Sequence, residues 1–287
     1  MDYERYEKYD GQDKEVILSA GSRGRPLAVV ASKAFLSCKS IERLVLPNSL
    51  EAVEDWGFAY MKNLREIVLP AKDIRFGKQI FLGCDHLERV QLRAIGAEEQ
   101  ETVPGIAEFI ASMFRFFPQE RLEDIALTGD KRGQLRWLAA YDDALESFLK
   151  RPDDTGFEPA FIGWFDVEDV DDQRADYILQ HRKNKIRLVF QRLLYDTGLK
   201  DELRELMQGI LTRHTYLVQE LFIEDEEHYG RDIRYYKIWH QAGGLTRKMA
   251  GKLLKRLPKE EPEIRAYLMK VQMEQEQAGD FFAELEL

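Results

Sequence analysis

The sequence predicts an α+β chain: a short N-terminal solenoid with a 23-residue period, packed on a larger all-α C-terminal domain. Three observations carry this. Apolar residues recur in seven columns at 23-residue spacing between residues 30 and 92. Beyond residue 104 the apolar spacing becomes that of a helix. Apolar residues make up 44% of the chain and charged residues 33%, enough for a substantial core and unlike a disordered composition.

The first sixteen residues, MDYERYEKYDGQDKEV, are polar and acidic. They do not read as a secretory signal, and no apolar run approaches the roughly 18 residues of a membrane span. A cytoplasmic chain without membrane insertion is expected. Residues 1–103 hold 15 basic and 17 acidic side chains (net −2), leaving 27 and 35 (net −8) for the remainder. An acidic chain without a long basic run argues against general nucleic-acid or anionic-membrane binding.

The repeat begins after a strand expected at Glu15–Leu18. Shifted by 23 residues, Ile41, Leu64 and Leu87 align, as do Leu44, Ile67 and Val90, and Leu46, Leu69 and Leu92. Pro47 and Pro70 follow directly. Upstream, Phe35, Phe58 and Phe81 align, then Cys38, Met61 and Cys84, with Val30, Val53 and Phe76 as a further column. A fixed period in the twenties marks a solenoid, whose units bury their apolar faces only against neighbours. Alternation in Glu42–Leu46 and Arg65–Leu69 predicts strands, which the prolines end by fixing φ and removing a donor. Each phenylalanine is the plug of its coil. Gly57, Gly77 and Gly83 are read as turn residues.

The stretches AFLSCKSIERLVLPNSLEAV and IFLGCDHLERVQL resemble the BspA-like leucine-rich-repeat family, and YDGQDKEVILSAGSRGRPLAVVASKAF is similar to that family's first unit. The resemblance covers about residues 9–95. It implies a leucine-rich-repeat solenoid behind an irregular first coil. It also implies adhesion at a cell surface as one use, a role that would need an export signal. The two cysteines are two repeats apart, so their Cα atoms are expected about 10 Å apart, beyond the roughly 7 Å limit for bridging. Both are read as buried free thiols.

RAIGAEEQETVPG carries a linker at 96–104, and residues 105–287 are read as an all-α domain, with a helical-repeat arrangement as one form. Ile106, Phe109, Ile110, Met113, Phe114 and Phe117 lie on one helical face that stops at Pro118. This helix is expected to cover the open end of the third coil, so that repeats and helices share a core. Further helices are expected at 133–150, 171–182, 186–194, 199–211, 215–223, 227–240, 245–257 and 262–285.

No catalytic, cofactor-binding or metal-ligating set emerges. The five histidines show no metal-ligand spacing. DVEDVDD (166–172) fails the EF-hand pattern, because a first ligand at Asp166 puts Asp171 and Tyr177 where glycine and glutamate are needed. It reads as helix capping, with EDEE (224–227) as a helix-start cluster. AGGLTRKMAGKLLKRL (242–257) lacks the phosphate-loop arrangement. Gly243–Gly244 reads as a helix end and Thr246 as the next start. The expectation is a non-enzymatic, cofactor-free interaction or scaffold module that binds a protein or peptide. Its candidate partner-binding positions alternate outward on the strands: Arg43, Val45, Glu66, Val68, Arg89 and Gln91. The alternatives are a nucleic-acid-associated adaptor using the basic helices near 181–187 and 247–256, and an exported surface adhesin.

Overall fold

The computed structural model describes residues 3–22, 24–93, 106–117, 131–159, 170–257 and 261–285. These form two compact units, Met1–Arg151 and Pro152–Leu287. The linker expected at 96–104 lies outside the described residues. The helices expected from 105 onward are divided, the first two belonging to the repeat unit.

In the first unit the 23-residue period becomes strand register. β2 (Glu15–Ile17), β5 (Arg43–Val45), β7 (Glu66–Pro70) and β9 (Arg89–Arg93) form a parallel sheet. Leu44 pairs with Ile67 and Ile67 with Val90, one period per strand. A second parallel sheet joins β1 (Glu4–Tyr6), β4 (Arg25–Val30), β6 (Ala52–Val53) and β8 (Arg75–Phe76), with β3 (Gly21–Ser22) antiparallel to β4. Val30, Val53 and Phe76 are in register there, so this column marks the opposite wall of each coil.

Between the walls, each coil turns through two left-handed positions. Lys33, Trp56 and Gln79 have φ of 61°, 58° and 51°; Ser37, Tyr60 and Gly83 have 61°, 59° and 70°. Only one of the six is glycine, although L-residues pay a steric cost in this region. Coil-to-coil hydrogen bonds hold the conformation: Phe35 N donates to Gly57 O at 2.9 Å, Ser37 N to Ala59 O at 2.9 Å and Trp56 N to Lys78 O at 2.9 Å. At Gly77 closeness decides, since a Cβ would lie 2.5 Å from Asp55 N.

An aromatic column fills the centre. Phe35 and Phe58 have ring centroids 5.8 Å apart, and Phe58 and Phe81 5.4 Å. Tyr6 and Tyr9 stack on Phe35 at 5.2 and 5.5 Å, closing one end. At the other, α1 (Ile106–Phe116) places Phe114 4.6 Å from Phe81 and 5.6 Å from Phe76. Arg115 donates to Leu87 O at 3.3 Å, and Glu108 faces Arg89 at 3.5 Å. The apolar face read from the sequence is divided: Phe114 meets the coil, whereas Phe109 and Phe117 turn to the next helix. Phe109 meets Trp137 and Tyr141 of α2 (Lys131–Lys150), and Phe117 meets Tyr141 and Phe148. The helix is thus held between the last coil and α2, which is why the unit extends past the repeats.

Both cysteines are free. Cys84 is buried, donates to Phe58 O at 3.1 Å, and has its thiol pushed up to about 12 by burial. Cys38 differs from the expectation: it is half-buried. It belongs to the first full coil, whose upstream neighbour is the irregular segment carrying Tyr9.

The second unit contains α3 (Val170–Leu194), α4 (Asp201–Arg213), α5 (Thr215–Glu224), a π-helical turn (Glu226–Gly230), α6 (Ile233–Gln241), α7 (Arg247–Arg256) and α8 (Pro262–Leu285). Two expectations change. The helices expected at 171–182 and 186–194 are one, because nothing in HRKNK breaks a helix. The helix expected at 227–240 is two, because the chain closes at Gly230, where a Cβ would lie 2.4 Å from Phe222 O. Asp232 then caps α6 by accepting from Arg234 N. Thr246 caps α7, after Gly243 at φ 79°. Phe190, Phe222, Tyr235, Tyr236 and Trp239 form the aromatic centre.

Phe114→Ala removes the ring that seals the column. It should cost about 3–5 kcal/mol of stability in denaturant unfolding, far more than truncation of an exposed residue.

Candidate functional site

The strand face named from the sequence proves to be an ion-pair ladder beside a covered apolar row. Across β2, β5, β7 and β9 run Glu15, Arg43, Glu66 and Arg89 in register. Arg43 pairs with Glu15 and with Glu66 at 3.0 Å, and Arg89 lies 3.9 Å from Glu66. In the next row, Val45 and Val68 are only 6% and 5% exposed, and Gln91 is half-buried. The expectation that both valines present an apolar surface is therefore corrected. Alternation assigns a residue to a face but not its exposure. Each valine has a strand neighbour on both sides, the charge ladder before it and the Pro47, Pro70 and Arg93 row after it. Arg93 reaches back over that row, donating to Leu46 O at 2.6 Å and Asn48 Oδ1 at 3.1 Å. Only Ile17, on the edge strand, is well exposed in the valine row.

Another surface, not singled out from the sequence, gathers exposed apolar groups. Leu36, Trp56, Tyr60 and Leu82 all project from the turns between the two walls. Trp56 is 38% and Tyr60 44% exposed. Each ring is held in place. Lys33 Nζ sits 4.6 Å from the centre of the Trp56 ring, and Trp56 Nε1 donates to Gln79 Oε1 at 2.8 Å. Tyr60 lies against Gly83, where a Cβ would be 2.6 Å from its Cδ1. Exposed Lys39, Lys62 and Lys78 lie on the same turns, with Asp55 and Asp85 as the exposed acids. Repeat alignment conceals this surface: Trp56 falls in a column with Lys33 and Gln79, and Tyr60 with Ser37 and Gly83. The available signal was an aromatic side chain at a turn position whose repeat equivalents are polar or glycine.

In the second unit the basic cluster HRKNKIR is largely committed to internal pairing. Lys183 and Lys185 are buried. Lys183 Nζ meets Glu224 at 2.5 Å; Lys185 Nζ and Arg182 Nε meet Asp153 at 2.8 and 2.7 Å. EDEE is likewise not a helix start: Glu224 ends α5, Asp225 meets His228 at 2.6 Å and Glu226 meets Arg231 at 2.9 Å. His181 Nδ1 lies 4.0 Å from Asp153, and its ring stacks on Tyr177. Burial, reinforced by Lys185, holds the His181 imidazole below its ordinary range while Asp153 pulls the other way. Burial, then the Arg182 charge, does the same to His214. Burial alone would raise the Asp153 carboxyl, but hydrogen bonds from Lys185 and Arg182 outweigh it and lower it.

Among the described residues, no group of three or more His, Cys, Asp or Glu side chains is placed to hold a metal ion. No described helix is long and apolar enough to cross a membrane. A cleft of about 470 Å³ opens on the second sheet beside Val53, Phe76 and Arg75. The Glu54 carboxylate on its wall is occupied by Arg5 and by Ser32 N.

The model of a family described as BspA type leucine rich repeat region, six copies, matches residues 25–99. Among solved structures, the crystal structure of a leucine-rich-repeat protein of T. pallidum matches at 25% identity, with a TM-score of 0.24. The match covers 32% of this chain and 56% of that one, little more than half its length. No curated protein matches.

Two outcomes follow from the geometry. Val68→Asp should unfold the repeat rather than silence a surface, costing about 3 kcal/mol or more in denaturant unfolding. Both histidines bind protons less readily folded than unfolded. Their stabilising effect is therefore complete above the ordinary imidazole range of about 6.5 and is lost as pH falls below it. The melting temperature should drop between about pH 7 and 5, and His181→Gln with His214→Gln should flatten that slope.

Proposed function

We propose that this chain, whose residues 25–99 match a BspA-type leucine-rich-repeat region, is a non-catalytic protein-binding module that offers the turn face of its coils to a partner. The reading is carried by one observation: four large apolar side chains, Leu36, Trp56, Tyr60 and Leu82, stand in solvent on consecutive turns. Repeat turns do not need the two rings, since the positions equivalent to Trp56 are Lys33 and Gln79 and those equivalent to Tyr60 are Ser37 and Gly83.

Tryptophan and tyrosine carry much of the energy of protein contacts, because they bury a large rigid area while freezing few torsions. Left-handed turns fixed by coil-to-coil hydrogen bonds spare the partner most of the ordering cost of binding. The lysines around the rings supply a polar rim. Arg43, Glu66, Arg89 and Gln91 fit a second, polar contact surface on the strand face, with Val45 and Val68 covered in the row beside the charges. The nucleic-acid reading loses support at 181–187, where Lys183 and Lys185 are buried and paired.

Asparagine tolerates the left-handed backbone, so Trp56→Asn with Tyr60→Asn removes the rings and keeps the turns. Partner recovery from native cells, compared between the wild type and this variant, should fall by at least about tenfold at an unchanged melting temperature. Equal recovery would remove the turn face from consideration.

A further inference from the structure

We infer that the α7–α8 hairpin carries a separate docking surface whose occupant is an acidic, amphipathic helical segment of another protein. This surface lies wholly in the second unit and does not depend on the turn face. Helix α7 has five cations, Arg247, Lys248, Lys252, Lys255 and Arg256, and no carboxylate. All five are exposed. Lys248, Lys252, Lys255 and Arg256 make no ion pair among the described residues, in contrast to Lys183 and Lys185 on α3. Residues 248, 252, 255 and 256 fall on one side of a helix. The opposite side, Ala250, Leu253 and Leu257, is buried, as are Ile264, Leu268 and Val271 of α8.

Internal needs of the helix do not account for this ridge. Lys255 and Arg256 complement the partial negative charge of the helix C-terminus, whereas Arg247 and Lys248 sit in the first turn, where a cation is disfavoured. Lys248 and Lys252, and Lys252 and Arg256, are like-charge pairs one turn apart and repel. The chain carries a net charge of −10, so acidic side chains were at hand to neutralise them. An opposite charge arriving on a partner relieves all of these terms together.

The apolar half comes from α8. Met269 and Met273, one turn apart, are 47% and 65% exposed. The Gln272 side chain of α8 lies over Gly251 of α7, where a Cβ would be 2.8 Å from Gln272 Nε2. Lys248 and Lys255 lie one turn before and after Gly251 on α7, and Met269 lies one turn before Gln272 on α8, so these three side chains adjoin the contact between the two helices, and Met273 extends the exposed face of Met269 by one turn. Unbranched, polarizable methionine adapts to apolar side chains of varied shape, as on surfaces that bind helical peptides. Among the described residues of this surface no aromatic ring is exposed for stacking a base: Tyr267 is half-buried and bonded to His240 at 2.9 Å. Nor do those described residues include an exposed Trp, Phe or Leu of the kind that anchors an interfacial helix in lipid. An acidic helix with apolar residues one turn apart satisfies both halves.

The test uses the full chain and three helical probe peptides of roughly 16 residues: leucine on one face with glutamate elsewhere, the same leucines with lysine, and the glutamate peptide with leucine replaced by serine. Anisotropy titrations should show the glutamate–leucine peptide binding at least about tenfold more tightly than either control, and weakening as salt rises from about 50 to 300 mM. Lys248→Glu with Lys252→Glu should reverse the preference toward the lysine peptide. Met269→Ser with Met273→Ser should weaken binding by about tenfold, each variant keeping the wild-type melting temperature. Trp56→Asn with Tyr60→Asn should leave the affinity unchanged, which separates this surface from the turn face. No binding, no preference between peptides, insensitivity to the α7 variant, or tighter binding to phosphatidylserine vesicles or single-stranded RNA would each overturn the proposal.

Discussion

The repeat unit depends on one contact made again and again: a phenylalanine ring laid against its counterpart a single coil away. No coil of this length can bury its own ring, so each borrows a wall from its neighbours. The ends of the column are then the weak points. Tyr6 and Tyr9 cover the first ring, and Phe114 covers the last. The caps are chemically alike because both meet the same bare aromatic face. The consequence reaches beyond packing: α1 is fixed by Phe114 on one side and by α2 on the other, so two helices join the solenoid's unit.

A column of this kind also sets the backbone around it. Strands on both walls are in register by one period, and the turns between them must pass through left-handed conformations twice per coil. Those turns are as regular as the strands, being hydrogen-bonded from coil to coil. The Trp56 and Tyr60 rings mounted there have fixed neighbours in Lys33, Gln79 and Gly83 while facing solvent. That combination of rigidity and exposure sets Trp56 and Tyr60 apart from the exposed apolar residues that any protein carries.

Charge is handled in two ways in the helical unit. Around Asp153 and Glu224 the cations of α3 are drawn inward and paired, and the neighbouring imidazoles are held below their ordinary range by burial first and by those cations second. On α7 the cations stay outside, and Lys248, Lys252, Lys255 and Arg256 meet no carboxylate among the described residues. Both segments read alike as basic helix in the sequence, and their opposite roles come from what lies across from them. Asp153 is 32 residues from Lys185, a separation that no local pattern can reveal.

Periodicity alone determined the solenoid of this protein, its strand register, the interior phenylalanine column and the switch to helix. Each of these is a one-dimensional regularity that packing converts directly into three dimensions. Sequence spacing also placed Phe114 on the face that closes the last coil. Tertiary structure decided the rest. Val45 and Val68 alternate as outward residues yet are covered, because exposure depends on neighbours one and two coils away. Cys38 and Cys84 share a column but not a burial, because only Cys84 has complete coils before it. The pairing of Lys183 and Lys185 was likewise set by groups distant in the chain. Local preference and spacing carry no information about which atoms lie opposite, and those atoms decide whether a side chain becomes core, ion pair or contact surface.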